Sequence, residues 1–203
     1  MLITFEGIDG SGKSTQIQIL KDKLEALSIE VSVFREPGGT DLSEMVRGML
    51  LNPEIEIDSV TELLLFSSAR SQLVAEKVIP RLKENQVVIL DRFYDSTVAY
   101  QGYGRESVPI QDIKEINHIA AHGLIPDITF YIRLSQQESA RRTLHLQKDR
   151  MERAGDSFFN RVIEGFEALA ESESRIYPMD GTLTSEQLHD QIWGVLEPVL
   201  PGT

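Results

Sequence analysis

Two hydrophobic rhythms alternate along the chain. Short runs in which nearly every position is apolar stand at 2–6 (LITFE), 31–35 (VSVFR), 87–91 (VVILD), 128–134 (ITFYIRL) and 176–179 (IYPM). Runs so short and so continuously apolar predict strands buried on both faces. Between them, apolar positions recur at helical spacing over 13–28, 41–51, 59–84, 109–122, 135–144, 157–174 and 184–198, which predicts amphipathic helices. This alternation predicts an α/β protein with a parallel sheet covered by helices on both faces. Ligands of such sheets sit at the carboxyl ends of the strands. The segments after the first three strands, "GIDGSGKST", "EPGGT" and "DRFYDST", are therefore where binding chemistry is expected.

A length of 203 residues predicts one domain spanning 1–203, large enough for a substantial core. There is no cysteine, which excludes disulfides, thiolate metal sites and a cysteine nucleophile. No run of 18 apolar residues occurs, and the start "MLITFEG" lacks the plan of a secretion signal. A cytoplasmic location is expected, with no membrane partner. The net charge of −12 would repel a nucleic-acid duplex, so no nucleic-acid partner is expected either. A small anion can still bind where positive charge is concentrated. Arg35, Arg47, Arg70, Arg92, Arg105 and the stretch 141–153, with four arginines and one lysine, are the places for that.

Residues 7–14 (Gly7, Ile8, Asp9, Gly10, Ser11, Gly12, Lys13, Ser14) match G-x-x-x-x-G-K-[ST] in full, followed by Thr15. The motif falls after an apolar strand and opens a helix, as a phosphate-cradling P-loop must. Glycines let the backbone wrap a phosphate chain at the positive end of a helix. Lys13 can reach the β- and γ-phosphates, and the Ser14 hydroxyl can ligate Mg²⁺. The loop alone is compatible with motors, GTPases and small kinases. The guanine-reading N-K-x-D is absent, which counts against a GTPase. Asp91 ends the strand VVILD. An aspartate there can be an ordinary cap, but beside a P-loop in the same sheet a metal role is the better reading.

The stretch "DRFYDSTVAYQGYGR" (91–105) mixes arginines, carboxylates, hydroxyls, Gln101 and three tyrosines. It reads as a binding loop, with flat apolar faces and hydrogen-bonding tips together. Arg92, next to the metal-site aspartate, is placed to hold an acceptor's phosphate bidentately. An acceptor that is itself a phosphate is already ionised and needs no general base, which fits the lack of a conspicuous base motif. Phe66 and Arg70 share a helix face at i, i+4 spacing. They read as an exposed cation–π pair or as an aromatic face for a base with a guanidinium at its edge, the first being favoured from the helix alone.

Six segments, "FEGIDGSGKST" (5–15), "REPGGT" (35–40), "LLLFSSARSQL" (63–73), "DRFYDSTVAYQGYGR" (91–105), "PDITFYI" (126–132) and "DRMERAGDSFFNRV" (149–162), resemble those of the bacterial thymidylate kinases in order and spacing. The resemblance implies a three-layer P-loop nucleoside monophosphate kinase fold with a five-stranded parallel sheet. It implies transfer of a phosphoryl group from ATP to dTMP with Mg²⁺ held at Ser14 and Asp91, in a homodimer. ATP would lie on residues 7–15. Asp9 would bind the 3′-hydroxyl of dTMP, Phe66 would stack on thymine, and Arg70 would bond a thymine carbonyl. Thr97 and Gln101 would sit at the base edge with Ser96 beside them, Arg92 and Arg47 would bind the phosphate, and Tyr100 would exclude a 2′-hydroxyl. Gly10 stands where one branch of the family carries a basic residue, so the basic stretch 141–155 is expected to be a lid supplying the catalytic arginine. His145 and Thr143 stand where related lids often have arginines. Arg150 is favoured because "DR" at 149–150 fixes it, with Arg142 next and Arg141 and Arg153 as the remaining candidates.

Overall fold

A computed structural model describes residues 1–145 and 149–200; positions 146–148 of the expected lid and residues 201–203 lie outside the described residues. The five expected strands form one parallel sheet: β1 (Leu2–Glu6), β2 (Val31–Arg35), β3 (Val87–Asp91), β4 (Ile128–Arg133) and β5 (Ile176–Asp180), in the order β2-β3-β1-β4-β5. β1 is central and buried at all five positions. It pairs with β3 through Leu2–Val88 to Phe5–Asp91 and with β4 through Ile3–Ile128 to Glu6–Tyr131. From β1 the chain runs to β2 at one edge and returns through β3, past β1, to β4 and β5 on the other side, and this reversal opens a crevice at the carboxyl end of β1.

Alternation along the strands divides the core. Ile3, Phe5, Val87, Ile89 and Phe130 face Ile17, Leu20 and Leu24 of α1 (Lys13–Ala26) and Leu188 and Ile192 of α9 (Ser185–Leu196). Leu2, Val88 and Leu90 point to the other side, under Leu73, Val74 and Phe93. Helices α3 (Ser59–Leu73), α6 (Ile110–Ala120) and α8 (Asp156–Ser172) cover that face. α2 (Asp41–Leu51) packs on α3 through Val46, Leu50 and Ala69. Its start is set by Thr40, whose hydroxyl accepts from the Ser43 amide at 3.1 Å, a cap worth about 1 kcal/mol.

Two helical expectations change. The single helix expected over 59–84 is interrupted: α3 passes through a wide π-type turn at Val74–Val78 into α4 (Ile79–Lys83). Pro80 lies in the first turn of α4; a proline in a continuous helix removes an amide donor and clashes with the turn before it, and a widened turn relieves both. The expected binding loop after β3 is helical as well, as α5 (Tyr94–Thr97) running into a π-type segment Val98–Gly104. Its Val98, Ala99 and Tyr100 are buried with Phe158, Val162 and Phe166 of α8. That apolar side was hidden in the sequence among the polar groups facing the opposite way.

Candidate functional site

The P-loop turns tightly because its glycines accept a left-handed backbone. At Gly7, φ is +134° and a Cβ would meet the Ile132 carbonyl at 2.6 Å. At Gly10, φ is +75° and a Cβ would lie 3.1 Å from Thr143 and 3.3 Å from Arg142, because α7 (Gln136–Thr143) packs directly over the loop. Ser139 of α7 donates to the Asp9 carbonyl at 2.7 Å. Ile8 contributes its side chain to the core and only its backbone to the loop. Lys13 is buried and bends back, donating to the carbonyls of Gly7 (3.0 Å) and Ile8 (3.1 Å). Burial, with Arg92 nearby, pushes its pKa down to about 8. The buried Ser11 hydroxyl has no hydrogen-bond partner among the described residues. Ser14 donates to Asp91 at 3.1 Å, so the hydroxyl and the carboxylate of the expected metal pair meet at the strand end.

A second cavity lies alongside, lined by Leu51, Phe66, Arg70, Phe93, Ser96, Thr97, Tyr100, Gln101, Asp149 and Met151 together with Asp9, Glu36, Arg47 and Arg92. Those last four residues also line the cavity over the P-loop, so the two spaces join end to end. At the junction Arg92 spans from Asp9 (2.8 Å) to the Ser96 hydroxyl (3.2 Å). Burial opposes ionisation of Asp9, but Arg92 and Lys13 outweigh it and hold its pKa below the usual carboxylate range. Arg47 donates to the Pro37 carbonyl at 2.9 Å and borders both spaces.

Arg70 corrects the expectation of an exposed pair with Phe66. Its side chain is 2% exposed and its guanidinium lies over Phe93, 5.5 Å from the ring centre. It donates to Glu36 (2.8 Å), Asn117 (2.8 Å) and Thr97 (2.7 Å), partners from three segments that no helical spacing reveals. Two of its five N–H donors remain for the cavity. Gln101 donates to Glu62 at 2.9 Å, which leaves its amide oxygen as an acceptor. Tyr100 packs edge-on to Phe158, Phe159 and Phe166, and its buried hydroxyl lacks a partner among the described residues.

The two favoured lid arginines are placed differently. Arg142 donates to the Gly10 carbonyl of the P-loop (3.1 Å), to Gly181 (3.0 Å) and to Glu138 (2.7 Å). Arg150 is anchored instead on the Leu50 carbonyl (2.7 Å) and in an ion pair with buried Glu62. Arg141 pairs with Glu138 at the surface.

Sequence reading missed the buried carboxylates that brace these arginines: Glu6, Glu36 and Glu62, which are 0%, 6% and 1% exposed. A signal for the first was present, since Glu6 is the one charged residue in the strand LITFE. Burial, with Asp95 close by, raises its pKa.

A P-loop at the crevice of a 2-3-1-4-5 parallel sheet, joined to an arginine-lined second cavity, defines a P-loop nucleoside monophosphate kinase fold. Residues 5–192 match the family described as "Thymidylate kinase". The chain is 45% identical to a thymidylate kinase of Chlorobaculum parvum, over 97% of this chain and 95% of that one. It is 42% identical to one from a Thermoanaerobacter species, over 98% of each. The crystal structure of thymidylate kinase from Ehrlichia chaffeensis superimposes with a TM-score of 0.80 at 35% identity, covering 97% of this chain and 98% of that one. The chain belongs to the thymidylate kinase family.

Proposed function

We propose that the protein transfers the γ-phosphoryl group of ATP to dTMP, giving ADP and dTDP. The observation that carries this reading is the joining of the P-loop cavity to the second cavity across Asp9, Glu36, Arg47 and Arg92. A donor phosphate chain on one side and an acceptor phosphate on the other would meet there, with Arg92 between them. ATP lies along Gly7–Thr15, where the unpartnered Ser11 hydroxyl and the retracted Lys13 ammonium are groups a polyphosphate would satisfy. The oxygen donors of Ser14 and Asp91 suit a hard divalent cation with its water shell. Mg²⁺ there supplies neutralisation of phosphate charge; the protein's own groups do the positioning.

In the acceptor cavity Phe66 stacks on thymine. Arg70 donates to a thymine carbonyl, while Thr97 and Gln101, with Ser96 alongside, border the base edge. Arg92 and Arg47 hold the phosphate, Asp9 takes the 3′-hydroxyl, and Tyr100 closes against the 2′ position. Because the attacking phosphate oxygen is already ionised, catalysis rests on alignment and on charge neutralisation. Residues 141–155 act as the lid over ATP. The contact of Arg142 with Gly10 supports it, ahead of Arg150, as the arginine that meets the transferring group. Exposed Leu42, Met45 and Met49 of α2 and Leu64 of α3 support a homodimer through that face. The location is cytoplasmic.

An ADP-release assay with dTMP, dUMP, UMP, AMP and thymidine in parallel tests the function. Turnover is expected with dTMP above the others. No turnover with dTMP beside robust turnover of another acceptor would overturn it.

A further inference from the structure

We propose that Glu6 is a positioning residue for the acceptor phosphate, fixing the direction of the Arg92 guanidinium through Ser96. The inference rests on the reading of the second cavity as the dTMP site. Arg92 sits in the left-handed region at φ 70°, a strained conformation for a non-glycine residue that must be held from both sides. On one side its amide donates to the Phe5 carbonyl at 2.9 Å, continuing the β1–β3 ladder. On the other side the carboxyl group of Glu6 holds the start of α5. One carboxyl oxygen accepts from the amides of Phe93 (2.8 Å) and Ser96 (3.3 Å), and the second accepts from the Ser96 hydroxyl (2.5 Å).

α5 has no side-chain cap of its own, and the carboxyl group from β1 takes that place. The Ser96 hydroxyl donates a hydrogen bond to Glu6, so its lone pairs face Arg92, which donates to it at 3.2 Å. Asp9 holds the other end of the same guanidinium. A group that meets no ligand therefore sets both the backbone turn that presents Arg92 and the rotamer in which its remaining donors face the junction.

The test compares two ligands, dTMP and thymidine, by calorimetry on the intact protein. Thymidine keeps the base and sugar contacts and lacks the phosphate that Arg92 would bind. Glu6→Gln keeps the shape of the side chain but replaces an acceptor with an N–H donor at the Ser96 hydroxyl. It is expected to weaken dTMP binding by about tenfold, the scale of one hydrogen bond to a charged group. Thymidine binding should stay within about twofold, as should ATP binding. Ser96→Ala cuts the same relay without touching β1 and should likewise narrow the preference for dTMP over thymidine, which keeps the proposal open to failure should Glu6→Gln not fold. In an Arg92→Ala background, Glu6→Gln should have no further effect on dTMP. Equal losses for dTMP and thymidine, or an unchanged preference in Ser96→Ala, would overturn the proposal. If the wild-type protein bound neither ligand, the dTMP reading would fail, and with it the ground of this one.

Discussion

The proposed donor half of the site centres on one stretch, Gly7 to Thr15, with Asp91 beside it, whereas the proposed acceptor half draws side chains from the β2–α2 connection, α2, α3, α5, the segment Val98–Gly104 and residues 149–151. The first would work mainly through backbone amides and a helix terminus, so nine consecutive residues supply most of it. The second works through side chains, and each needs a partner to hold it: Arg70 needs Glu36, Thr97 and Asn117, and Gln101 needs Glu62. Breaking one such buried pair costs roughly 3–5 kcal/mol, so the acceptor half is bound into the fold's stability. The donor half can be altered at exposed Ser14 with little loss of packing.

The largest expected effect tests where the two halves meet. Arg142→Ala should lower kcat by about 10³-fold if its guanidinium meets the transferring phosphoryl, while Arg150→Ala should lower kcat less than about tenfold and instead weaken dTMP binding through Glu62 and Gln101. Steady-state kinetics with both substrates saturating decides this. The opposite ranking would mean that the lid rearranges to bring Arg150 over the phosphates.

Next, Lys13→Met should lower kcat by about 10²–10³-fold, the scale of losing one positioned donor. Its dTMP affinity, measured by equilibrium dialysis, should be nearly unchanged. A large loss of dTMP affinity would break the division into two halves.

Phe66→Ala makes the reciprocal change. Base stacking on an aromatic ring is worth about 1–3 kcal/mol, so dTMP binding should fall by about tenfold or more while ATP binding holds. Equal calorimetric losses for both nucleotides would make Phe66 a packing residue of the α2–α3 contact. The smallest effect is expected for Tyr100→Phe, which removes only the hydroxyl. Turnover of ribothymidine monophosphate relative to dTMP should rise severalfold, and an unchanged ratio would place sugar discrimination elsewhere.

Rhythm and motif carried the sheet and the loop Gly7–Ser14 at the end of β1. The five strands stand within a residue or so of where the apolar runs put them, and the P-loop reads directly because its function is a property of consecutive backbone. The Ser14 hydroxyl donates to Asp91 at the end of the strand VVILD. The helix over 94–104 escaped because its apolar side is interleaved with the polar groups facing the cavity, so neither a period of two nor one of 3.6 stands out. The turn at 74–78 turned on one proline within a long periodic run.

What the sequence by itself determined is the alternation of strand and helix, the phosphate loop and its place in the sheet, because these follow from neighbours in the chain. Only the tertiary structure decided that Arg70 is buried and bound on three sides, that Arg142 and not Arg150 touches the P-loop, and that Glu6 braces the turn at Arg92. Each of those joins residues between 27 and 132 positions apart. Hydrogen bonds at that separation depend on which strands lie side by side, and no local pattern of side chains records it.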